Sequence, residues 1–208
     1  MSRSLNSRPA ALLFDLGGVI IDIDFDRVFA QWALHSPLGA ADIAQRFRFD
    51  ATYHRYERGE ISDRVFFDEV RRVLQSDAPD ATLLAGWNAV FVGLIDDNLA
   101  LAARLAETLP CYAFTNTSAS HQRAWSRSYP SVTQTFRCIY SSAEMGLRKP
   151  DRAAFEAVTA AIGCSPESIL FFDDMRSNVD GALAAGLRAV HVTHPGAVQE
   201  ALQAHGLA

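Results

Sequence analysis

The sequence predicts an α/β protein: a Rossmann-like parallel sheet covered by helices on both faces, with a helical cap inserted after the first strand. Three observations carry this. Short apolar runs alternate with amphipathic stretches through the second half of the chain, the rhythm of strand–helix units around a parallel sheet. The first apolar run, beginning at Ala11, is set apart from the others by a long stretch that reads as helix throughout. Three of the runs end in chemically useful groups: Asp15, then Thr115-Asn116, then Asp173-Asp174.

The first run, Ala11 to Phe14, is short and wholly apolar, as in a strand with both faces buried. Asp15 closes it, and Gly17 and Gly18 allow a sharp turn and a close backbone approach to a ligand. Val28, Phe29, Trp32 and Ala33 form a stripe at helical spacing, with Asp24 or Asp26 as the candidate cap. A second short helix is expected over residues 40–49. Tyr53 to Ser62 reads as a polar, aromatic loop. Ser62 is the N-cap expected for a helix carrying Val65, Phe66, Val70 and Leu74, and Pro79 opens another with Leu83 and Trp87 inward. From Asp24 to Leu94 no strand is expected, and Trp32, Trp87 and Phe91 are assigned to the cap's own core.

Beyond that, Asp96 to Thr108 reads as helix, Cys111 to Thr115 as strand and Ser118 to Ser126 as helix. Cys138 to Ser141 is a strand, and a helix follows Pro150. Ser168 to Asp173 is a strand, and Ser177 to Ala185 a helix closed by Gly186. A last strand, Ala189 to Thr193, and a last helix, Pro195 to Gln203, complete the chain. The domain reading is therefore a core of residues 9–22 and 95–208, a cap of residues 23–94 and a flexible extension of residues 1–8.

A formal net charge of -5 argues against a general nucleic-acid binder, which would present a basic face. No apolar run is long enough to cross a bilayer, and the polar N-terminus lacks a signal peptide's apolar segment. Three scattered cysteines suggest reduced thiols, with Cys111 and Cys138 as small core residues. These points predict a cytoplasmic protein, a monomer or homodimer.

In a parallel sheet all strand C-termini share one edge, so Asp15, Thr115-Asn116 and Asp173-Asp174 converge there. Lys149, in Gly146-Leu147-Arg148-Lys149-Pro150, precedes a helix and can reach the same edge. Converging carboxylates repel one another. A divalent cation resolves this, and oxygen ligands with open positions suit Mg²⁺. A carboxylate beside such an ion can attack phosphorus. The Thr115 hydroxyl, Asn116 amide and Lys149 ammonium can then bind the other phosphoryl oxygens, the division of labour used in phosphoryl transfer.

Phe14-Asp15-Leu16-Gly17-Gly18-Val19, Thr115-Asn116, Arg148-Lys149-Pro150 and Phe172-Asp173-Asp174 resemble, in order, the four motifs of the haloacid dehalogenase superfamily. Asp15 to Phe25, Glu57 to Ser62 and Gly146 to Pro150 look like its bacterial alpha-D-glucose-1-phosphate phosphatase branch. The resemblance implies Mg²⁺-dependent hydrolysis of a small phosphorylated metabolite, such as a sugar phosphate, through an aspartyl-phosphate. It implies Asp15 as nucleophile and metal ligand, with the Gly17 carbonyl and Asp174 as further ligands and Asp173 acting through metal-bound water. Asn178 and Asp180 would support those ligands from behind. Thr115, Asn116, Lys149 and Gly18 would contact phosphate, and Glu57 and Arg58 on the cap would meet the rest of the substrate or simply pair with each other.

One position departs from the pattern. Most phosphatases of this superfamily carry an acid/base Asp two residues after the nucleophile, and here that residue is Gly17. Asp22, Asp24, His54 and Glu57 are candidate replacements. His121 is expected at the surface, and His191 and His194 are given no role. Two alternatives stand beside the phosphatase. One is a metal-independent 2-haloacid dehalogenase, which the paired carboxylates Asp173-Asp174 disfavour. The other is a non-catalytic binding protein, which intact Asp15, Lys149 and Asp174 disfavour.

Overall fold

A computed structural model describes residues 8–207 of the chain. Strand β1 (Ala11–Phe14) leads through a turn into β2 (Ile21–Ile23). Five helices follow: α1 (Phe25–Ala33), α2 (Ala40–Arg46), α3 (Ala51–Glu57), α4 (Asp63–Leu74) and α5 (Asp80–Asn88). Strand β3 (Phe91–Leu94) returns the chain to α6 (Asp96–Ala106) and β4 (Cys111–Thr115). Next come α7 (Ala119–Ser128), α8 (Pro130–Thr135), β5 (Ile139–Ser141), α9 (Ser142–Met145) and α10 (Arg152–Ile162). A 3-10 turn leads into β6 (Ile169–Asp173), then α11 (Arg176–Ala184), β7 (Arg188–His191) and α12 (Ala197–Ala204).

The main sheet has the order β5-β4-β1-β6-β7, and every neighbouring pair is parallel. β1 lies at its centre, with Leu12 opposite Cys111 on one side and Leu170 on the other. Side chains alternate between faces along a strand. Leu12 and Phe14 pack with Leu99, Leu105 and Leu202 on one face, while Ala11 and Leu13 pack with Phe155, Val158 and Ala182 on the other. This two-sided burial is why the strands are short apolar runs. The chain leaves β1 toward β4 on one side and reaches β6 on the other, so the crevice at the strand C-termini opens beside Asp15.

Residues 25–88 form a separate helical bundle with its own core of Val28, Trp32, Phe47, Phe66, Val70 and Trp87. Asp24 caps α1 through the Asp26 N–H, and Ser62 caps α4 through the Val65 N–H. Trp32 and Trp87 stack at 5.8 Å, and the Trp32 indole N–H donates to the Leu83 carbonyl.

Four local expectations are corrected. Phe91 to Leu94 is a strand rather than helix, because it pairs antiparallel with β2, Ile21 facing Leu94 and Asp22 facing Gly93. Residues 51–57 are helix rather than loop: the Asp50 carboxylate accepts the Thr52 and Tyr53 N–H groups, and Tyr56 is buried on the Phe66 ring at 4.1 Å. α8 was not expected, and Pro130 starts it at a position where a missing N–H costs nothing. Cys138 is exposed, while Cys111 is buried as foreseen. Apart from Arg8, the expected N-terminal extension lies outside the described residues. Among those residues no helix is long and apolar enough to cross a membrane.

Candidate active site

Asp15 emerges where β1 stops, between the ends of β4 and β6. Its Oδ1 accepts the Leu16 N–H at 2.6 Å and lies 2.9 Å from the Lys149 ammonium. Lys149 donates to Asp173 Oδ2 at 2.7 Å. Both Lys149 and Asp173 are wholly inaccessible, at 0% exposure, so this ion pair lies inside the protein. Asp173 is held on its other side by the Met175 N–H at 2.8 Å and the Asn178 amide at 3.0 Å. Asp174 is half-buried, and His191 Nε2 donates to its backbone carbonyl at 2.9 Å.

One oxygen from each of Asp15, Asp173 and Asp174 lies within 4.8 Å of the others. Burial is the largest influence on Asp15 and pushes its carboxyl well above the ordinary range. Lys149 pulls it down, and Asp173 and Asp174 push it up again. Burial and the Asp173 charge also raise Asp174. Burial disfavours the Lys149 ammonium, but Asp15 and Asp173 outweigh it and hold the group charged. Three carboxylates therefore face one buried cation, and the cluster is short of positive charge. An all-oxygen donor set of this kind fits Mg²⁺, which would also relieve the repulsion.

Gly18 has a positive φ of 72°, and a Cβ there would fall onto the Asp174 carboxylate. Its glycine therefore makes room for that carboxylate. The Gly18 N–H donates to the Ile21 carbonyl at 2.9 Å, so it is not the phosphate donor expected. Gly17 lines the cavity, and a Cβ there would come within 3.0 Å of the Ile23 side chain.

Thr115, buried, and Asn116 both line the same cavity. Asn116 is not the free amide expected. Its Oδ1 accepts the Lys149 N–H and its Nδ2 donates to the Lys149 carbonyl, each at 2.9 Å. Asn116 thus fixes the lysine's backbone. Asp180 stays outside, exposed and paired with Arg176 across one helical turn.

The cavity, about 690 Å³, lies between the sheet edge and the helical bundle. Glu57 is buried there, and Arg148, not Arg58, is its partner at 2.9 Å. Burial raises the Glu57 carboxyl, and Arg148 opposes that. Arg58 turns away to Glu60 and does not line the cavity. Ser142 ties the two halves, its hydroxyl reaching the Glu57 carbonyl at 2.7 Å and the Thr117 carbonyl at 3.1 Å. Tyr56 and Ser120 add a hydroxyl pair at 2.6 Å across the same boundary.

Of the candidate acid/base residues, Asp22 is exposed on β2 and Asp24 caps α1. His54 lines the cavity, its pKa lowered by burial and by Arg148 and Arg58. His121 is not at the surface. It is buried, stacks on Trp87 at 4.3 Å, and its Nε2 meets the Trp87 carbonyl at 3.0 Å. Burial lowers its pKa to about 4. Nothing in the local sequence marks His121, because its partner is thirty-four positions away. Arg148 was visible in the Gly146–Pro150 stretch, but its pairing with Glu57 spans ninety-one positions.

Phosphatase MT3486 from Mycobacterium tuberculosis is 28% identical over 200 residues, spanning 92% of this chain and 90% of its own. The crystal structure of a HAD family enzyme, bt-2542, from Bacteroides thetaiotaomicron holds magnesium and inorganic phosphate. It matches with a TM-score of 0.77 at 29% identity, over 88% of this chain and 93% of that one. A HAD-like family hydrolase from Porphyromonas gingivalis matches with a TM-score of 0.80 at 22% identity, over 95% of this chain and 98% of that one, a likeness of fold. The family model for haloacid dehalogenase-like hydrolases matches residues 9–186, from the first strand through the helix after Asp174, and the chain belongs to that family of enzymes.

Proposed function

We propose that this hydrolase is a magnesium-dependent phosphomonoesterase that acts on a small phosphorylated metabolite through an aspartyl-phosphate on Asp15. The observation that carries the reading is the buried cluster of Asp15, Lys149, Asp173 and Asp174 at the end of the central strands. Asp15, Asp174 and the Gly17 carbonyl would hold Mg²⁺, with Asp173 acting through water. When bound, the ion neutralises phosphoryl charge and orients the group.

Asp15 attacks phosphorus with the oxygen that Lys149 does not hold. The bond from phosphorus to the organic oxygen breaks, and that oxygen takes a proton from water. A water molecule then attacks phosphorus, the bond to Asp15 breaks, and inorganic phosphate leaves with the carboxylate restored. Lys149 and the Thr115 hydroxyl bind phosphoryl oxygens, where fixed charge contributes most to the rate. Asn116 and Asn178 are positioning residues, one for Lys149 and one for Asp173.

The sequence resemblance makes a sugar phosphate such as glucose-1-phosphate one candidate within that class, and Glu57, Arg148 and His54 are polar groups lining the cavity it would enter. The metal-free dehalogenase alternative gives no reason to gather three carboxylates. The test is phosphate release from a panel of phosphomonoesters with Mg²⁺ and with chelator. Metal-dependent release supports the reading. Its absence from every member moves the protein to a binding role.

A further inference from the structure

We infer that the cavity beside Asp15 selects phosphomonoesters whose organic group is apolar and ring-bearing over polyhydroxylated ones, an inference that rests on the phosphomonoesterase reading above. The wall is made of rings. Phe25, Phe49, Trp87, Phe91 and Trp125 all line it. Three of them meet directly: Phe25 lies edge-on to Phe49 at 5.0 Å and tilted to Trp87 at 5.9 Å. Trp87 stacks on His121, and Phe91 meets the same imidazole at 5.1 Å.

Several polar groups of the cavity already have partners, while the buried Trp87 indole N–H has none among the described residues. The Glu57 carboxylate holds Arg148, the Asn116 amide holds the Lys149 backbone, and His121 Nε2 meets the Trp87 carbonyl. Each sugar hydroxyl gives up water on entry and must find a replacement partner, or binding weakens. An aromatic or alicyclic body gives up nothing comparable and gains by burying its surface.

Two further observations point the same way. Next to the nucleophile the lining is aliphatic: a Cβ at residue 17 would come within 3.0 Å of the Ile23 methyl, and Ile21 lines the same cavity. At the mouth, Phe49 and Met175 line the cavity and are 49% and 55% exposed. An apolar substrate would cover them.

The test compares two esters of primary alcohols, phenethyl phosphate and glucose-6-phosphate, so that the organic body is the main difference. We expect kcat/KM to favour phenethyl phosphate by more than about tenfold, chiefly through KM. Phe91→Thr and Phe49→Ser should each shrink that ratio. An equal or reversed ratio overturns the inference and leaves the phosphomonoesterase reading standing. If neither ester releases phosphate with Mg²⁺, the wider panel decides the phosphomonoesterase reading, and binding decides the cavity separately. Calorimetry with phenethylphosphonate and methylphosphonate should then show tighter binding of the ring, and equal affinities overturn the inference.

Discussion

The sheet edge and the helical bundle face each other across one cavity, and they are built on opposite terms. At the edge, polar groups are buried and fixed before any ligand arrives: Lys149 and Asp173 have no accessible surface, and Asn116 and Asn178 hold them in place. Opposite, the bundle offers rings whose positions come from packing on one another, with the buried Glu57 carboxylate reaching back to Arg148 of the core. Fixed charge contributes to the chemical step, whereas apolar area contributes to holding the organic group. Changes at the edge should therefore act on kcat and metal affinity, and changes in the bundle on KM and on stability.

Asp15→Asn is the sharpest way to test the edge. Phosphate release should fall by more than about 10⁴-fold while circular dichroism stays native. Activity above a hundredth of wild type would place the attacking atom elsewhere. Lys149→Met should lower kcat by about 10²–10³-fold and also destabilise the fold by roughly 3 kcal/mol, because it leaves buried carboxylates unpaired. A melting temperature equal to wild type would show that those carboxylates have another source of compensation.

The bundle boundary has a pH signature at His121. Its pKa of about 4 in the fold lies below the ordinary 6.5 of an unfolded chain. The unfolded state therefore takes up a proton first as pH falls. Stability from the neutral imidazole is whole above about 6.5 and drains away toward 4, a loss on the order of 2 kcal/mol by pH 5. His121→Gln should flatten that part of the stability profile measured by denaturant, and an unchanged profile would assign the acid sensitivity to other groups. Asp174→Ala should raise the half-saturating Mg²⁺ concentration by about tenfold or more; an unchanged metal titration would remove Asp174 from the ligand set. Arg58→Ala is the smallest effect expected. Its contact is an exposed pair with Glu60, so KM should stay close to wild type, and a large rise would bring Arg58 back into the site.

The edge was legible because its signals are local. Ala11 to Phe14 and Ile169 to Phe172 are buried on both faces, so each reads as one short apolar run with its functional group directly after it. The cavity wall was less legible because its structure is set by distant partners. Phe91 to Leu94 is only partly buried and contains Gly93, and it becomes a strand by pairing with Ile21 to Ile23, far earlier in the chain. The partners of Glu57, Asn116 and His121 are likewise remote in sequence. Asp50 is the exception: it is a good helix cap by type, and it carried a usable signal for α3.

The ribbon of β2 and β3 brings the two ends of the bundle to one place, with Ile21 directly opposite Leu94. A chain that leaves and re-enters at neighbouring points is a replaceable module. The whole of residues 22–93 could be excised and the gap bridged by a tight turn without rerouting any strand of the main sheet. Lineages with the same catalytic edge could thus exchange one bundle for another as a unit, changing their substrates without rebuilding their chemistry.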